Sequence, residues 1–419
     1  MSESWRLSFK ALLAAEFLAI MGFQTSTPIL PLYLQDLGVS EPFELNLWNG
    51  VINAATSLAI ALVAPIWGAL ADSYGKRLML LRATIGGTIV LSLMAIVSSP
   101  WQLLVLKTIQ GLLTGTVAAA TVLTAAIVPA REAGYRLGLL QVAIYLGTST
   151  GPLVGGLISD LLGNRANFLV TGLLLALASF LVFCFVEEDL SPKPRQGSLF
   201  QKMLPDFSVL KATPILGALL FAVFAVQLAN GTANPILPLI ILDLKGGGVG
   251  TGSLVGLIIG SASLTGALAA ALVGKAGARL GYGRTLLACL ALSALFYIPQ
   301  GFARSPYLLL LLRMAGGAFL GASIPTLNAL FARQAPRERQ GAVFGLSSSM
   351  SSGGSAFGPM IGALTANLMG YSAVFFATAA ILGLATLIMA RGLREMGKTD
   401  TKKAGGTGEG IAIDATMGE

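Results

Sequence analysis

Three ionisable side chains lie inside long apolar stretches of the sequence, where a charge is unfavourable: Glu16, Lys107 and Arg313. A carboxyl group surrounded by hydrocarbon favours its protonated form, which suits Glu16 to carry a proton. Lysine is a compact charge that can release its proton on burial, whereas arginine keeps its charge. These residue types predict a proton-coupling set in which Glu16 titrates and Lys107 or Arg313 responds.

Glu16 and Lys107 also allow a simpler interpretation, because each lies about two helical turns from an end of its apolar stretch. Water could reach Glu16 at that depth, and Lys107 could extend its ammonium group to the interface. Counted by depth, the two side chains are not level. The sequence therefore gives no ground for predicting an ion pair between them.

The residues that metal sites and many enzymes need are absent from the chain. It has no histidine, and its two cysteines, Cys184 and Cys289, lie far apart in apolar stretches. It contains no Gly-x-x-x-x-Gly-Lys-Ser/Thr phosphate loop and no Gly-x-Ser-x-Gly, His-Glu-x-x-His or Cys-x-x-Cys motif. The sequence predicts no metal site, no cofactor, no direct use of ATP and no enzyme activity.

A short segment with glycines, an acid and two bases separates two apolar stretches, and we name residues 68–77 the gating loop. Glycine permits a tight turn, and a carboxylate can bind a helix N-terminus or a neighbouring cation. The pattern predicts a latch, although a turn with topology-determining bases is the simpler alternative. A second copy near residue 274 has Ala278 where the acid would be. The gating residues are Gly68, Asp72, Gly75, Lys76 and Arg77.

A second motif places small residues and a proline inside one apolar stretch, as Gly147, Gly151, Pro152 and Gly155. Small residues allow two helices to approach backbone to backbone, and proline bends a helix. The pattern Gly-Pro-x-x-Gly recurs at residues 358–362, so generic helix packing explains part of it.

Polar uncharged side chains inside the apolar stretches must face protein or water, because lipid cannot hydrogen-bond to them. Together with aromatic residues they would suit amphipathic, mostly apolar ligands. Hydrogen bonding between helices is the equally simple alternative. The candidate substrate-binding residues are Gln24, Gln110, Gln141, Phe224, Gln227, Asn230 and Asn234.

The elements that must position these residues are membrane-spanning helices. The 419-residue chain is 55% hydrophobic and 11% charged, with a mean hydropathy of +0.79. Residues 11–34, 165–186 and 214–242 each contain enough apolar positions to cross about 30 Å of hydrocarbon. The net charge of +8 comes from bases in short loops. We interpret these bases as topology signals, so nucleic acid is not an expected partner.

The chain is an internal duplication. Pro-Ile-Leu-Pro-Leu at residues 28–32 recurs at residues 235–239, 207 positions later. Lys107, Gly111 and Gly115 match Arg313, Gly317 and Gly321 at a spacing of 206. Two copies in the same chain direction indicate two bundles of equal orientation.

We therefore predict an all-α membrane protein with 12 transmembrane helices in two six-helix bundles. Residues 1–186 form the first bundle, 187–211 a cytoplasmic linker, 212–391 the second bundle, and 392–419 a disordered cytoplasmic tail. The predicted helices cover residues 9–34, 46–70, 79–98, 102–128, 137–160, 166–186, 213–241, 251–273, 285–303, 306–330, 342–366 and 371–391.

The basic residues predict the orientation of these helices. Of the 27 lysines and arginines, 22 fall at one end of the bundle, which we call the basic end. Basic loops face the cytoplasm, which places both termini there and requires an even number of spans. The other end, with residue 40, is called the opposite end.

The motifs resemble those of a known family. The gating loop resembles the signature Gly-x-Leu-Ala-Asp-x-x-Gly-Arg-Arg of the major facilitator superfamily, and Gly147–Gly155 resembles the antiporter motif of drug–proton antiporters. Lys107-x-x-Gln-Gly stands where this family usually has Arg-x-x-Gln-Gly. Residues 31–39, 45–51 and 64–72 are similar to the bacterial MdtG-type multidrug efflux proteins, in the 12-helix drug–proton antiporter group.

The resemblance implies alternating access and proton-driven export of lipophilic compounds from a bacterial inner membrane. Protons, small molecules and the lipid bilayer would be the partners, and a monomer the expected state. Glu16 is not part of the shared pattern, so its role rests on the physical argument. Two alternatives stay open: an importer or uniporter of a single metabolite, and a non-transporting membrane receptor on the same scaffold.

Overall fold

The computed structural model describes residues 4–129, 131–188, 214–246, 250–334 and 340–406, and no strand occurs among them. The predicted linker beyond residue 188 and the tail beyond residue 406 lie outside the described residues. The fifteen helices are α1 Ser4–Ser26, α2 Leu30–Asp36, α3 Pro42–Tyr74, α4 Lys76–Met94, α5 Pro100–Leu113, α6 Thr116–Ile127, α7 Ala133–Leu162, α8 Asn164–Phe185, α9 Pro214–Ala233, α10 Leu237–Lys245, α11 Thr251–Leu280, α12 Tyr282–Gln300, α13 Pro306–Gln334, α14 Gln340–Met369 and α15 Tyr371–Gly406.

Single glycines reverse the chain between neighbouring helices. Gly75, Gly163, Gly281 and Gly370 each have a φ between +84° and +98° and separate two long helices. A residue with a side chain rarely adopts this backbone conformation. Gly75 and Gly281 are repeat partners, as are Gly163 and Gly370, so the same reversal was duplicated with the helices.

The helices make twelve passes because three of them are interrupted. The α1–α2 and α9–α10 pairs break at residues 27–29 and 234–236, around Pro28 and Pro235. Proline lacks the N–H that would continue the helix and disfavours helical backbone in the residue before it. The α5–α6 pair breaks at Thr114 and Gly115. The sequence had predicted each of these passes as one uninterrupted helix.

Eleven passes among the described residues are long and apolar enough to cross a membrane. The remaining long helix, α14, has 30 residues, as do α7 and α11, but is rich in serine and glycine between Ser347 and Ser355. It packs against both α3 and α9, and it also exposes large apolar side chains such as Phe357 and Leu364. Large apolar side chains on other helices, such as Leu173, Leu311 and Leu387, are exposed as lipid contact requires.

Each half has its own apolar core, and the halves are built alike. In the first half α1 packs against α7 and α8, and in the second half α9 packs against α14 and α15. The α15 helix continues past the predicted boundary at residue 391 to Gly406. Its extension contains Arg, Glu, Met and Lys and no proline, so nothing stops the helix. The predicted disordered tail, 392–419, therefore begins with helical residues.

Candidate functional site

Glu16 lies in the middle of α1 and is almost completely buried, with 1% of its surface exposed. Neither carboxyl oxygen has a hydrogen-bond partner of standard geometry. The hydroxyl of Thr116, the first residue of α6, lies beside the carboxyl group and interacts with it. The structure thus encloses Glu16 in protein, and the half-hydrated alternative does not describe this conformation.

Lys107 lies on α5 and is 7% exposed. Within the described part of the chain its ammonium group forms no hydrogen bond or ion pair, with Glu16 or any other group. Its backbone carbonyl accepts a bond from Thr56 on α3, at 3.3 Å. Lys107 is therefore a buried cation whose neighbours do not neutralise it.

Arg313, the repeat partner of Lys107, is buried in a different environment. Its guanidinium donates to the hydroxyl of Tyr297 at 3.0 Å and to the side-chain oxygen of Asn234. It is 6% exposed, and its Nε has no partner. Asn234, a candidate substrate-binding residue, is thus engaged in holding Arg313.

The gating loop is fastened within the first half by a residue that the sequence analysis did not select. Gly75 precedes α4 with φ +98°, and the Glu188 carboxylate accepts from the backbone N–H groups of Lys76 and Arg77, at 3.0 and 2.7 Å. Lys76 Nζ lies 4.0 Å from the same carboxylate, and Arg77 donates to the carbonyl of Phe183 at 2.6 Å. An acid at a helix N-terminus is stabilised there by the unpaired N–H groups.

For Gly68 and Asp72 only the helical backbone of α3 is described, so the predicted latch at Asp72 stays a prediction. Glu188 could have been found from the sequence, because it is the second of two acids that follow the predicted span 166–186. It was assigned to the linker instead.

The antiporter-motif glycines of α7 bring that helix against α1. A Cβ atom at Gly147 would lie 2.9 Å from the carbonyl oxygen of Phe17, and one at Gly151 would lie 2.6 Å from that of Met21. At Gly155 it would overlap the carbonyl of Thr25. The copy in α14 repeats this contact with α9. Gly354 meets Phe224, Gly358 meets Gly231 and Leu228, and Gly362 meets Thr232.

The two halves contact each other at the opposite end. The Asp160 carboxylate, near the end of α7, accepts from the backbone N–H groups of Gly252 and Ser253 at the start of α11, at 3.0 and 2.7 Å. Asn46 donates to Asn367 at 2.8 Å, and Asn49 donates to the carbonyl of Pro235 at 2.6 Å. None of these residues was selected from the sequence, since their partners lie in the other half.

The same helices separate toward the basic end. In α7, Pro152 and Gly156 touch α11. Gln141, on the same face and further toward the basic end, is exposed. A Cβ at Gly138 of α7 or Gly274 of α11 would have no described atom within 4 Å. The space between the halves therefore opens at the basic end.

A cavity of about 270 Å³ lies within the second half, among α9, α13 and α14. Gln227 lines it and donates to the hydroxyls of Ser351 and Ser355, at 3.1 and 3.5 Å. Asn328, Ser347 and Ser348 also line it. The cavity offers amide and hydroxyl groups set in an apolar wall.

The other candidate substrate-binding residues are dispersed. Phe224 is half-buried and packs on Gly354 of α14, next to the residues that line the cavity. Gln24 is half-buried against Gly151, and Gln110 is buried with an unpartnered side-chain oxygen. Asn230 is half-buried on α9. The structure joins Gln227 and Asn234 to defined partners and does not assemble the predicted set at one place.

Comparison with known proteins agrees with this architecture. The model of the Major Facilitator Superfamily matches residues 12–227 and again residues 219–414. The multidrug resistance protein MdtG of Enterobacter lignolyticus (strain SCF1) is 33% identical over 396 residues, which cover 94% of each chain. The protein of the same name from Proteus mirabilis (strain HI4320) is 34% identical over 91% of this chain and 94% of its own.

Solved structures share the fold at lower identity. A bacterial homologue of the human lysosomal transporter Spinster, inward-facing and unoccupied, aligns with a TM-score of 0.75 and 14% identity, over 94% of this chain and 98% of its own. The human organic anion transporter MFSD10 (TETRAN) aligns with a TM-score of 0.69 and 20% identity, over 93% and 100% of the two chains. The chain belongs to the Major Facilitator Superfamily and is a multi-pass secondary transporter, as the duplicated bundle around a one-sided opening indicates.

Proposed function

We propose that this protein exports lipophilic or amphipathic small molecules in exchange for protons, by alternating access in a bacterial inner membrane. The relatives named above are multidrug resistance proteins and match nearly the whole chain. In this proposal the basic end and both termini face the cytoplasm, in agreement with the distribution of lysine and arginine. The protein acts as a monomer, needs no cofactor and has no nucleic-acid partner.

One observation carries the proposal of alternating access: the α7–α11 pair is closed at one end and open at the other. Gly156 and Gly252 bring the two backbones together at the opposite end, while Gly138 and Gly274 face open space at the basic end. The hydrogen bonds that join the halves between described residues all lie at the closed end. This arrangement supports an inward-facing state whose counterpart opens outward.

The proposed substrates follow from the cavity beside Gln227. Its polar groups are uncharged amides and hydroxyls, and its other lining residues are apolar, such as Val223, Ile324 and Phe344. Such a wall binds a mostly apolar molecule and fixes it by a few hydrogen bonds. It contains no fixed charge that would select a small ionic metabolite.

The proposed proton site is Glu16, because a buried carboxyl group without a cationic partner is expected to hold a proton more readily than an exposed one. Glu16→Gln keeps the shape of the side chain and removes its titration. In proteoliposomes we expect pH-gradient-driven accumulation of a fluorescent lipophilic dye to be lost in Glu16→Gln while dye binding persists. Glu44→Gln, an exposed acid in the first turn of α3, is the matched control.

Normal gradient-driven accumulation by Glu16→Gln would exclude Glu16 as the proton site. Failure of the wild-type protein to respond to a pH gradient would overturn proton coupling itself. Uptake of one metabolite in place of varied dyes would favour the importer alternative.

The latch at Asp160 provides a test of alternating access. Asp160→Asn retains one acceptor oxygen and loses the charge that stabilises the α11 N-terminus. Spin labels at residues 35 and 243, placed after replacement of both cysteines, report the separation of the halves at the opposite end. We expect longer distances in Asp160→Asn and no change in Glu41→Gln, an exposed acid at the same end. Identical distances in all variants would contradict the latch.

A further inference from the structure

The break between α5 and α6 is an unusual feature of the first half. Helix α5 ends at Leu113, Thr114 is extended with ψ 165°, and Gly115 has φ +141°. Helix α6 then begins at Thr116. The pass therefore has two helix ends inside the membrane, one with unpaired carbonyl groups and one with unpaired N–H groups. Interrupted helices of this kind carry partial charges of opposite sign to the middle of a bilayer.

The carbonyl end of the break is held by two residues of neighbouring helices. Trp67 of α3 donates its indole N–H to the carbonyl of Leu112 at 2.7 Å. The Arg82 guanidinium of α4 lies 3.4 Å from the centre of the Trp67 ring, and its Nη2 is 3.7 Å from the position of a Cβ on Gly115. A cation at this place is attracted to the negative end of α5.

Arg82 has little other engagement. Its Nε and Nη1 are buried and without hydrogen-bond partners. A guanidinium that keeps unpaired N–H groups in a buried place is unfavourable unless its surroundings supply negative potential. The aromatic face of Trp67 and the end of α5 supply it here.

The N–H end of the break is met by Glu16. Glu16 is 1% exposed, and its carboxyl group has no hydrogen-bond partner of standard geometry. The carboxyl group lies beside Thr116, the first residue of α6. Gly115, the residue before α6, has no side chain that could cap the helix. An ionised Glu16 is therefore attracted to the positive end of α6, and a protonated Glu16 is not.

No other charge competes for Glu16 on the helices that pack against α1. Helix α6 contains no titratable residue. The titratable groups of α7 and α8 form no hydrogen bond or ion pair with Glu16 in the described part of the chain. These groups are Tyr135, Arg136, Tyr145, Asp160, Arg165 and Cys184.

The two residues at the carbonyl end also flank the gating loop. Trp67 immediately precedes residue 68, and Arg82 follows residue 77 in the first turns of α4. In the structure the predicted gating loop consists of the last turns of α3, Gly75 and the start of α4, so Trp67 and Arg82 lie on the two helices that form it.

We infer that the α5–α6 break is the element that connects Glu16 to the gating loop, with Arg82 and Trp67 as positioning residues. Protonation of Glu16 removes its attraction for the end of α6, and α6 then shifts relative to α5. Trp67, bonded to the Leu112 carbonyl, and Arg82, stacked on Trp67, carry that shift to residues 68–77. The inference rests on the proposed proton coupling and adds the mechanical route.

Trp67 itself provides a readout that does not need transport. The chain has four tryptophans, so replacing Trp5, Trp48 and Trp101 by phenylalanine leaves Trp67 as the only one. We expect its fluorescence to change between mildly acidic and mildly basic pH, because the Arg82 stack moves with the break. Glu16→Gln should abolish this change without any gradient or substrate.

Transport supplies the second arm of the test. Arg82→Gln should reduce the initial rate of gradient-driven dye accumulation by about tenfold, with dye binding retained, because the dipole contact is lost. Arg82→Lys keeps the charge and should recover part of the rate. Arg333→Gln removes a guanidinium that stacks on Tyr282 at 5.0 Å in the second half, and it is the matched control.

The outcomes separate this inference from the proposed function. If wild-type transport depends on the pH gradient and on Glu16, but Arg82→Gln transports normally, the route through the break is wrong and proton coupling stands. A Trp67 signal that changes with pH equally in Glu16→Gln also overturns the route. A gradient-independent wild-type protein overturns the proposed function itself.

Discussion

The α5–α6 pass and helix α13 are repeat partners, yet one is broken and the other is continuous. Gly111 and Gly317 pack alike, because a Cβ would lie 2.5 Å from the Thr56 carbonyl in one and 2.7 Å from the Ala262 carbonyl in the other. At the next partners, Gly115 has a positive φ beside Arg82, whereas Gly321 is helical and meets the backbone of Gly266. The same glycine thus allows a break in one half and a close helix contact in the other.

The buried bases of these two passes, Lys107 and Arg313, also differ in their hydrogen bonding. Arg313 in the continuous helix is held by Tyr297 and Asn234, while Lys107 in the broken pass has no partner among the described residues. The second half satisfies its buried charge with hydrogen bonds. In the first half, Lys107 has no hydrogen-bond partner and Glu16 has none of standard geometry beyond its contact with Thr116, among the described residues. In our proposal the first half therefore carries the proton coupling, and the second half serves as a fixed frame.

The largest expected effect is a loss of stability at the glycine contacts that the two halves share. Gly155→Val and Gly362→Val each drive a side chain into a threonine carbonyl, at Thr25 and Thr232, and should destabilise the protein by about 3 kcal/mol. Thermal unfolding of the purified protein would measure it. Gly383→Val, which faces open space in α15, is the control. If only Gly155→Val were harmful, the antiporter motif would have a role beyond packing.

The next largest effect is expected from exchanging the two buried bases, Arg313 and Lys107. Arg313→Lys loses the two bonds to Tyr297 and Asn234 and should destabilise the protein by about 2 kcal/mol. Lys107→Arg removes no hydrogen bond and should alter stability less, while changing gradient-driven transport. Parallel thermal unfolding and transport assays would compare them. Equal loss of stability in the two variants would remove the distinction between a fixed frame and a coupling half.

A smaller effect is expected at the break. Gly115→Ala places a side chain at φ +141° and should destabilise the native state by about 1–2 kcal/mol. Gly345→Ala, in a helical position of α14 that faces open space, should be neutral or slightly stabilising. Melting temperatures of the two variants give the measurement. A Gly115→Ala protein with unchanged melting and transport would show that the break is dispensable.

The smallest effect concerns the substrate. Ile20 and Ile144 of the first half correspond to Gln227 and Ser351, so the polar wall belongs to the second half. Gln227→Leu should weaken binding of a hydrogen-bonding dye by about fivefold, since one net hydrogen bond contributes about 1 kcal/mol. Fluorescence titration would measure this. Ser349→Ala, an exposed serine that bonds to Gly345 in its own helix, is the control, and an equal effect there would remove Gln227 from the site.

Much of the architecture could be predicted from the sequence because it depends on local patterns. The length of each apolar stretch, the repeated Pro-Ile-Leu-Pro-Leu and the glycine spacing of α7 and α14 are all visible in one dimension. The family and the all-helical membrane fold were therefore predicted correctly. The helix interruptions were not predicted, because the predicted helices run through Pro28 and Pro235. Nothing in the local sequence distinguishes Gly115, which lies at a break, from Gly321, which is helical.

The sequence by itself determined the apolar passes, their duplication and the placement of Glu16, Lys107 and Arg313 within apolar stretches, because hydrophobicity and repeat spacing are properties of the chain. Only the tertiary structure decided which charge meets which helix end. Asp160 accepts hydrogen bonds from the N-terminus of α11, and Glu188 accepts them from the N-terminus of α4. Arg82 and Glu16 lie at the two sides of the α5–α6 break. These contacts depend on helices that are distant in the chain, and a partial charge acts only within a turn of the helix end that carries it.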